Sequence, residues 1–353
     1  MPGSAPGAVA CADAQASAAL RPLPLQLSWR PYRFALPRVM VTSQGAWSER
    51  CGWLLRLQSA DGRLGWGEAV AAPGGDGLVA LAAAITALPS EIARGALEER
   101  LATLPAALAC ALGMALAERD GLGASDQGGW RQAPASAWLL PAGEAALPAL
   151  DLAREAVLRS AGPPAGAPVL TVKWKVAAVS DALERALLEQ LLERLPAAAR
   201  LRLDANGGWD RATADAWADR LQAEPRLEWL EQPLPPADQA GLERLAARLP
   251  VALDESLRQR PHLMAAAAWA GWQVRRPLVE GDPRPLLAAL QAGTPRLMLS
   301  TALETGIGRR LLQHLAALQA EGPTPAAPGL APGWRPEGAL FAADPQVVWE
   351  AAA

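Results

Sequence analysis

The strongest constraint on the fold is a repeat: from about residue 136 onward, short apolar runs alternate with longer helical stretches. The unit recurs about every 22 to 30 residues, the length of one strand, one helix and their connections. This period predicts right-handed βαβ units, and about seven repeats favour a closed (β/α) barrel over an open sheet. The predicted strands are SAWLLP (136–141), VLTVKWKV (169–176), LRLDA (201–205), LEWLEQP (227–233), VALDES (251–256), WQVRRPLV (272–279) and RLMLSTA (296–302).

Helices are predicted between these strands, and no nucleotide-binding motif follows any of them. Neither a Gly-x-Gly-x-x-Gly fingerprint nor a Gly-x-x-x-x-Gly-Lys loop is present at a strand end. The repeat therefore gives no local support for nucleotide binding. The predicted helices are Asp181–Leu195, Arg211–Ala223, Gly241–Arg248, His262–Trp269, Arg284–Gln291 and Ile307–Ala320.

The N-terminal part of the chain has a different pattern and is predicted to form a small α+β unit. Its apolar runs are short and separated by turn residues, and Asp61-Gly62 is a strong hairpin signal. Two helices are predicted after the strands, near Leu78–Ala93 and Leu97–Glu118. The predicted strand segments are LQLSWRPYRFAL (25–36), VTSQGAWSERC (41–51) and GWLLRLQSADGRLGWGEAV (52–70).

Composition and charge exclude several classes of protein. The net charge of −3 and the isoelectric point near 5.6 argue against a nucleic-acid partner. No charge-free apolar run reaches the roughly 18 to 20 residues of a membrane span. Residues 1–24 lack the features of a secretion signal, and we expect a disordered tail or a mis-assigned start. Cys11, Cys51 and Cys110 are too widely spaced for a disulfide framework or a zinc site, so we expect a cytoplasmic protein.

Lysine and asparagine are almost absent, and the few that occur stand at predicted strand ends. Of the 33 basic residues, the only lysines are Lys173 and Lys175, and Asn206 is the only asparagine. Lysine differs from arginine because its ammonium can lose a proton near neutral pH when it is buried or beside other cations. Because the chain otherwise avoids lysine and asparagine, we expect these residues to take part in the chemistry of the protein.

Three carboxylates close three successive predicted strands. Asp204, Glu231 and Asp254 are one βα unit apart, and the carboxyl ends of barrel strands meet at the face that carries active sites. Brought together without a cation, these side chains would repel one another. Oxygen ligands without His or Cys suit Mg²⁺ rather than zinc, so we expect a magnesium site. The alternative is a set of unrelated helix caps.

Cations are expected on both sides of this acidic group. Lys173 and Lys175 share a face of their strand because their positions differ by two, and Arg276 ends the sixth run. A lysine base facing Mg²⁺ is the arrangement for removing a proton α to a carboxylate, because the metal stabilises the enediolate that forms.

The segments TVKWKV, LRLDANGGW, LEWLEQPLP, VALDES and LSTALETGIG together resemble the enolase superfamily, in its muconate-lactonizing-enzyme-like branch. GWGEA in the N-terminal unit and APGL at 327–330 are similar to parts of the same family. Within the superfamily the chain looks most like the o-succinylbenzoate synthase family. The resemblance extends from about residue 25 to the end.

This resemblance implies a (β/α)7β TIM-like barrel with an N-terminal α+β capping domain. The barrel would span residues 133–334, and the cap would span 25–132, completed by about 335–353. The implied reaction is dehydration of 2-succinyl-6-hydroxy-2,4-cyclohexadiene-1-carboxylate to o-succinylbenzoate through a metal-stabilised enediolate. The implied roles are Mg²⁺ ligation by Asp204, Glu231 and Asp254, with Mn²⁺ as a substitute, acid/base catalysis by Lys175, tuning of Lys175 by Lys173, and support from Asn206 and Glu255.

One residue departs from the family pattern, which has lysine where this chain has Arg276. Arginine stays protonated and is a poor base, whereas an epimerase or racemase needs a base on each face of the α-carbon. A syn dehydration can use one lysine on one face, first as the base and then as the acid that protonates the departing hydroxide. The substitution therefore favours the synthase over a dipeptide epimerase or N-acylamino-acid racemase. A shifted register with Arg275 at the site, and a catalytically inactive barrel that only binds, remain alternatives.

Binding of the substrate gives the weakest sequence signal. The expected substrate is a small dicarboxylate, and Ser43, Arg50, Ser300 and Thr301 are placed to meet its second carboxylate. Turn or surface roles for these four residues are equally compatible with the pattern. The sequence leaves the oligomeric state open, and a monomer is compatible with it.

Overall fold

The computed structural model describes residues 24–42, 45–72, 75–160, 169–265 and 268–352, so the expected N-terminal tail lies outside the described residues except for Pro24. An antiparallel sheet in the order β3-β2-β1-β4 forms the N-terminal part. The hairpin between β2 and β3 turns at Asp61-Gly62, as predicted, and Gly62 has a φ of +84°. The strands are β1 Leu25–Thr42, β2 Gly45–Gln58, β3 Leu64–Val70 and β4 Glu91–Ile92.

The N-terminal helices are α1 Gly75–Thr86, α2 Arg94–Leu101 and α3 Ala106–Arg119. Both helix predictions here were wrong in extent, and proline explains each error. The first helix ends before Pro89, after which Glu91–Ile92 pair with β1. The second is interrupted before Pro105, because the residue preceding a proline is driven out of helical geometry.

Helix α3 packs directly on β3, and two glycines make this close approach possible. A Cβ on Gly65 would lie 1.9 Å from the carbonyl oxygen of Ala115. One on Gly67 would lie at the same distance from that of Ala111. Side chains at either position would force α3 away from the sheet, so both glycines allow α3 to pack closely on β3.

The second part is a seven-stranded parallel sheet in the order β11-β10-β9-β8-β7-β6-β5. All seven predicted strands are confirmed. A layer of apolar side chains, among them Trp229, Val274 and Met298, fills the space beneath the strand ends. The strands are β5 Trp138–Leu140, β6 Thr171–Lys175, β7 Arg200–Asp204, β8 Leu227–Glu231, β9 Val251–Leu253, β10 Trp272–Arg275 and β11 Leu297–Leu299.

Helices follow the strands as expected, with one exception. The segment predicted as helix His262–Trp269 begins as a single 3₁₀ turn, Pro261–Met264, because Pro261 interrupts the hydrogen bonding that the preceding α8 would need to continue. The helices are α4 Ala146–Ser160, α5 Asp181–Arg194, α6 Arg211–Leu221, α7 Gln239–Ala246, α8 Glu255–Gln259, α9 Arg284–Gln291 and α10 Gly306–Ala320, and α11 Pro345–Ala351 ends the chain.

Residues 328–330 connect the two edges of the parallel sheet. The Gly329 amide donates to Leu299 at 2.8 Å, and its carbonyl accepts from Thr301 at 3.0 Å. On the other side the Ala137 amide donates to Pro328 at 2.9 Å. The sheet is therefore curled, with both edge strands bound to one segment.

Helix α11 returns to the N-terminal sheet. Its Trp349 ring lies 5.6 Å from that of Trp66, and the Trp349 carbonyl accepts a 2.9 Å hydrogen bond from Arg30. A shared apolar cluster, including Tyr32 and Leu54 of the sheet and Ile307 of α10, joins the two parts. In the described residues no helix has both the length and the apolar character needed to cross a membrane.

Candidate active site

The carboxyl ends of β6 to β10 bring the sequence-predicted residues to one face of the sheet. Lys175 lies opposite Asp204 in the β6–β7 register, and Asp204 lies opposite Glu231 in the β7–β8 register. Asp254 and Arg276 come immediately after β9 and β10. All three carboxylates are buried.

Both lysines bind carboxylates on the neighbouring strands. Lys173 Nζ lies 2.5 Å from Oε1 of Glu231 and 2.9 Å from Oδ2 of Asp204. Lys175 Nζ lies 2.6 Å from the same Asp204 oxygen and 2.8 Å from Oδ1 of Asn206. Lys173 is the more deeply buried of the two, with 10% of its side chain exposed against 20% for Lys175. Lys175 is therefore the lysine that a ligand at this face can reach.

Arg276 holds the third carboxylate from the opposite side. Its Nη2 lies 2.5 Å from Oδ2 of Asp254, and its Nε lies 3.0 Å from Oδ1. Nη1 donates to the carbonyl of Thr301 at 3.0 Å. Arg275 instead binds Glu280 at 2.9 Å and extends toward Met264. The structure therefore brings Arg276, and not Arg275, to the carboxylates.

Asn206 and Glu255 extend the group at its outer edge. The Asn206 amide nitrogen Nδ2 donates to Oε1 of Glu255 at 3.2 Å, and its backbone N–H donates to Oδ1 of Asp204 at 3.0 Å. Arg258, which sequence reasoning missed, lies 3.4 Å from the same Glu255 oxygen. Asn206 adopts a φ of +47°, a left-handed conformation that asparagine tolerates better than most residues.

Gln232 is a second residue that sequence reasoning missed. It is fully buried, and its Oε1 accepts hydrogen bonds from the backbone N–H groups of Asp254 (3.2 Å) and Ser256 (3.0 Å). Its Nε2 donates to Leu234 and Ser256. The only sequence signal was its place directly after Glu231. Gln232 fixes the backbone that carries Asp254 relative to β8.

Burial and electrostatic interactions together lower the pKa values of the two aspartates and raise those of the two glutamates. Burial alone would raise the pKa of Asp204, but Lys173 and Lys175 outweigh it and hold that pKa below its usual range. Burial likewise opposes ionisation of Asp254, and Arg276 lowers its pKa. Burial and the nearby Asp204 charge raise the pKa of Glu231. Burial, with Asp254 and Asp204, raises the pKa of Glu255 to about 7.

For the two cations, burial favours the neutral form and the nearby carboxylates favour the charged form. Burial would lower the pKa of Lys173, but Asp204 and Glu231 raise it above the usual range. Burial also opposes the charge on Arg276, and Asp254 raises the pKa of its guanidinium further. Arg276 is thus a permanent cation, unable to accept a proton at neutral pH.

The donor set suits a hard divalent cation. Three carboxylates provide only oxygen ligands, and Oε2 of Glu231 is buried without a hydrogen-bond partner. Among the described residues, no three acidic, His or Cys side chains already stand in a closed metal-binding arrangement. Their oxygens turn toward the lysines and Arg276 instead. The residues fit Mg²⁺ by ligand type and by the free Glu231 oxygen.

The residues predicted to bind substrate lie around the end of β11, and each that is described has a protein partner. Thr301 Oγ1 donates to Glu304 at 2.7 Å, and Ser300 Oγ stands 3.5 Å from the Gly329 carbonyl. Arg50 Nη2 donates to the Ala302 carbonyl at 2.6 Å. Ser43 lies outside the described residues. Direct binding of substrate by these side chains stays a prediction.

Comparison with known proteins identifies close relatives. The family described as enolase C-terminal domain-like matches residues 151–277. An o-succinylbenzoate synthase of Thermosynechococcus vestitus is 36% identical over 307 residues, covering 82% of this chain and 88% of the relative. One of Mycolicibacterium smegmatis is 36% identical over 154 residues, covering 41% of this chain and 46% of that relative.

The chain is also similar to solved structures. The o-succinylbenzoate synthase from Thermosynechococcus elongatus BP-1, complexed with Mg in its active site, matches with a TM-score of 0.73 and 31% identity. The match covers 92% of this chain and 99% of that one. The L-Ala-D/L-Glu epimerase from Bacillus subtilis matches 91% of this chain and 92% of that one, with a TM-score of 0.67. Its 20% identity supports a shared fold only.

Proposed function

The chain belongs to the o-succinylbenzoate synthase family, and from this membership we propose that it dehydrates 2-succinyl-6-hydroxy-2,4-cyclohexadiene-1-carboxylate to o-succinylbenzoate. The reaction is a step of menaquinone and phylloquinone biosynthesis. The observation that carries the proposal is the pairing of chemically unequal cations across three buried carboxylates. Lys175 lies on the Asp204 side, and Arg276 lies on the Asp254 side.

Lys175 is the proposed acid/base. In its neutral form it removes the proton α to the substrate carboxylate, so the C–H electron pair moves into the enediolate. It then returns that proton to the hydroxyl group as the C–O bond breaks, and the products are the aromatic ring and one water molecule. One lysine on one face is sufficient for both transfers. Its contacts with Asp204 and Asn206 hold Nζ in position for them.

Arg276 has the complementary role of a fixed charge. Two of its nitrogens bind Asp254, and a third binds the Thr301 carbonyl, so the guanidinium is held without depending on substrate. Negative charge that develops on the substrate carboxylate is stabilised by a cation already in place. Arg276 supplies that stabilisation without transferring a proton.

Asp204, Glu231 and Asp254 are the proposed ligands of Mg²⁺. When bound, Mg²⁺ supplies electrostatic stabilisation of the substrate carboxylate as its α-proton leaves. Mn²⁺ also prefers oxygen ligands in octahedral geometry, and we propose it as a working substitute. Asn206 and Glu255 support the ligands from the outer edge of the site.

The same geometry disfavours the epimerase alternative. An epimerase needs a second proton acceptor opposite Lys175, and the group at that place is a guanidinium whose pKa is raised by Asp254, although burial opposes its charge. An inactive binding protein would have no need of two lysines bound to these carboxylates in a chain that otherwise uses arginine.

The architecture that we propose around the site is a (β/α)7β barrel, residues 133–334, with residues 328–330 as its final strand. The capping domain would be residues 25–132, completed by about 335–353. The hydrogen bonds of residues 328–330 to both edge strands support this closure. A small dicarboxylate substrate and a cytoplasmic location complete the proposal.

The test is an assay of the purified protein with the cyclohexadiene substrate and Mg²⁺, following formation of the aromatic product. We expect turnover that excess EDTA abolishes and that added Mg²⁺ or Mn²⁺ restores. Absence of product with metal present would contradict the proposed function. Full turnover in EDTA would contradict the metal requirement alone.

A further inference from the structure

The loop between β11 and α10, residues 300–305, joins the candidate active site to the N-terminal sheet. Its Thr301 carbonyl accepts the 3.0 Å hydrogen bond from Nη1 of Arg276. The next carbonyl, of Ala302, accepts the 2.6 Å hydrogen bond from Nη2 of Arg50 on β2. Successive peptide groups of one loop are therefore bound by the active-site arginine and by an arginine of the sheet.

Glu68 of β3 binds the far end of the same loop. Its two carboxylate oxygens accept from the backbone N–H of Thr305 at 2.9 and 3.0 Å. Oε2 also accepts from the Thr305 hydroxyl at 2.6 Å and from the Gly308 N–H at 2.9 Å, and Oε1 accepts from the Tyr32 hydroxyl at 2.7 Å. Glu68 is fully buried. It was not a candidate from sequence, although it is the one charged side chain in an otherwise apolar strand end.

The Glu68 carboxylate lies at the N-terminus of the fifteen-residue helix α10, where backbone N–H groups and the helix dipole favour an anion. Among the described residues it has no lysine or arginine within ion-pair distance, so these neutral donors alone hold it. Gly308 permits the approach, since a Cβ there would lie 2.8 Å from Oε2. These hydrogen bonds form only when the N-terminal sheet and α10 keep one relative position.

Internal contacts make the loop a stiff connection. Oε2 of Glu304 accepts from the Thr301 hydroxyl at 2.7 Å and from the Ala302 N–H at 3.0 Å. The Thr301 hydroxyl in turn accepts from the Leu303 N–H at 2.8 Å. Leu303 has a φ of +63°, which an L-residue adopts at a cost. A shift at Thr305 would therefore move the Thr301 carbonyl as well.

We propose that Arg50 and Glu68 are positioning residues for Arg276. They fix the loop of residues 300–305 so that the Thr301 carbonyl holds the Arg276 guanidinium against Asp254. For Arg50 this positioning role replaces the substrate-binding role predicted from sequence, because its described hydrogen bond is to the Ala302 carbonyl of the loop. The inference rests on the proposed function for its kinetic test, because the reaction measured is the dehydration.

Glu118 provides a matched control. It also lies largely buried between the N-terminal part and α10, accepting from the Trp66 N–H at 2.9 Å and from Arg310 at 3.0 and 3.2 Å. None of its hydrogen bonds involves the loop of residues 300–305. Glu118→Gln therefore weakens the contact between the same two parts of the molecule, while it leaves the contacts of Arg276 intact.

The experiment is a double-mutant cycle on kcat. Misplacing a catalytic group from a distance costs up to about 100-fold in rate, so we expect Glu68→Gln to lower kcat by about tenfold with little change in KM. In the Arg276→Met background the same change should cost less than about twofold, because the group being positioned is gone. Arg50→Met should behave in the same way and serves if Glu68→Gln does not fold. Glu118→Gln should cost less than about twofold in both backgrounds.

Equal fold losses for Glu68→Gln in both backgrounds, or an equal kcat loss for Glu118→Gln, would overturn the inference. Amide hydrogen exchange of residues 301–305 gives a readout that needs no turnover. Exchange should be faster in Glu68→Gln and Arg50→Met and unchanged in Glu118→Gln. A wild-type protein without dehydratase activity would contradict the proposed function, and the exchange measurement would then decide the positioning role. Unchanged exchange in both variants would overturn it.

Discussion

Lys175 and Asp204 face each other across β6 and β7, and Nζ of the lysine lies 2.6 Å from Oδ2 of the carboxylate. Across the same group of acids, Arg276 binds Asp254 with two nitrogens. Both side chains are partly accessible, but the lysine can exchange a proton, whereas the arginine is permanently charged. In the proposed mechanism, the lysine therefore transfers the proton and the arginine supplies only charge.

The proposed metal requirement leads to a prediction for Glu231→Gln. Replacing the carboxylate removes a charged ligand and leaves Lys173 with a weaker partner. We expect loss of Mg²⁺ binding by calorimetry and a fall in kcat of about 10³-fold or more, with a folded protein by circular dichroism. Unchanged Mg²⁺ affinity in the variant would show that Glu231 is not a ligand.

Proton exchange should occur on one face only. An N-succinyl amino acid in D₂O presents an α-proton without a group that can leave. With Lys175 as the single base, we expect solvent deuterium to enter one enantiomer and not the other, as followed by NMR. Exchange at equal rates from both enantiomers would mean that a second base operates opposite Lys175.

His314 predicts a pH dependence of stability that is separate from catalysis. Its Nδ1 accepts a hydrogen bond from the Arg131 N–H at 3.3 Å, the Trp130 ring lies 5.7 Å away, and Glu321 is nearby, paired with Arg131. Burial, with Arg131, lowers the pKa of His314. The stability that this neutral ring contributes is therefore present above the ordinary histidine pKa of about 6.5 and is lost as pH falls through and below it.

The variant His314→Gln keeps a hydrogen-bond acceptor and does not titrate. We expect the unfolding free energy of the wild type, relative to this variant, to decrease between pH 7.5 and pH 5.5 in chemical denaturation. A difference that stays constant over this range would show that His314 has the same pKa in the folded and unfolded chain.

Local pattern was sufficient to predict the parallel strands and the acids at their ends, since both follow from a repeat that is visible in sequence. It failed where one residue changes the hydrogen bonding, as at Pro105, which divides a predicted helix, and at Pro261, where a single 3₁₀ turn begins. It placed Arg276 at the site but left Arg275 as an alternative, because adjacent residues differ only in where their side chains point. Local pattern also could not predict contacts between distant segments. Glu68 and Thr305 are 237 residues apart and meet only when the two parts dock.

The assignment of proton transfer to Lys175 and of fixed charge to Arg276 is tested most directly by kcat for aromatic product formation in three folded variants. Arg276→Lys keeps the charge and should retain measurable activity. Arg276→Met removes the charge beside the buried Asp254 and should lose about 10²–10³ in kcat, or roughly 3–4 kcal/mol. Lys175→Arg keeps the charge but cannot transfer the proton, so it should be the slowest. More activity in Lys175→Arg than in Arg276→Met would contradict the assignment.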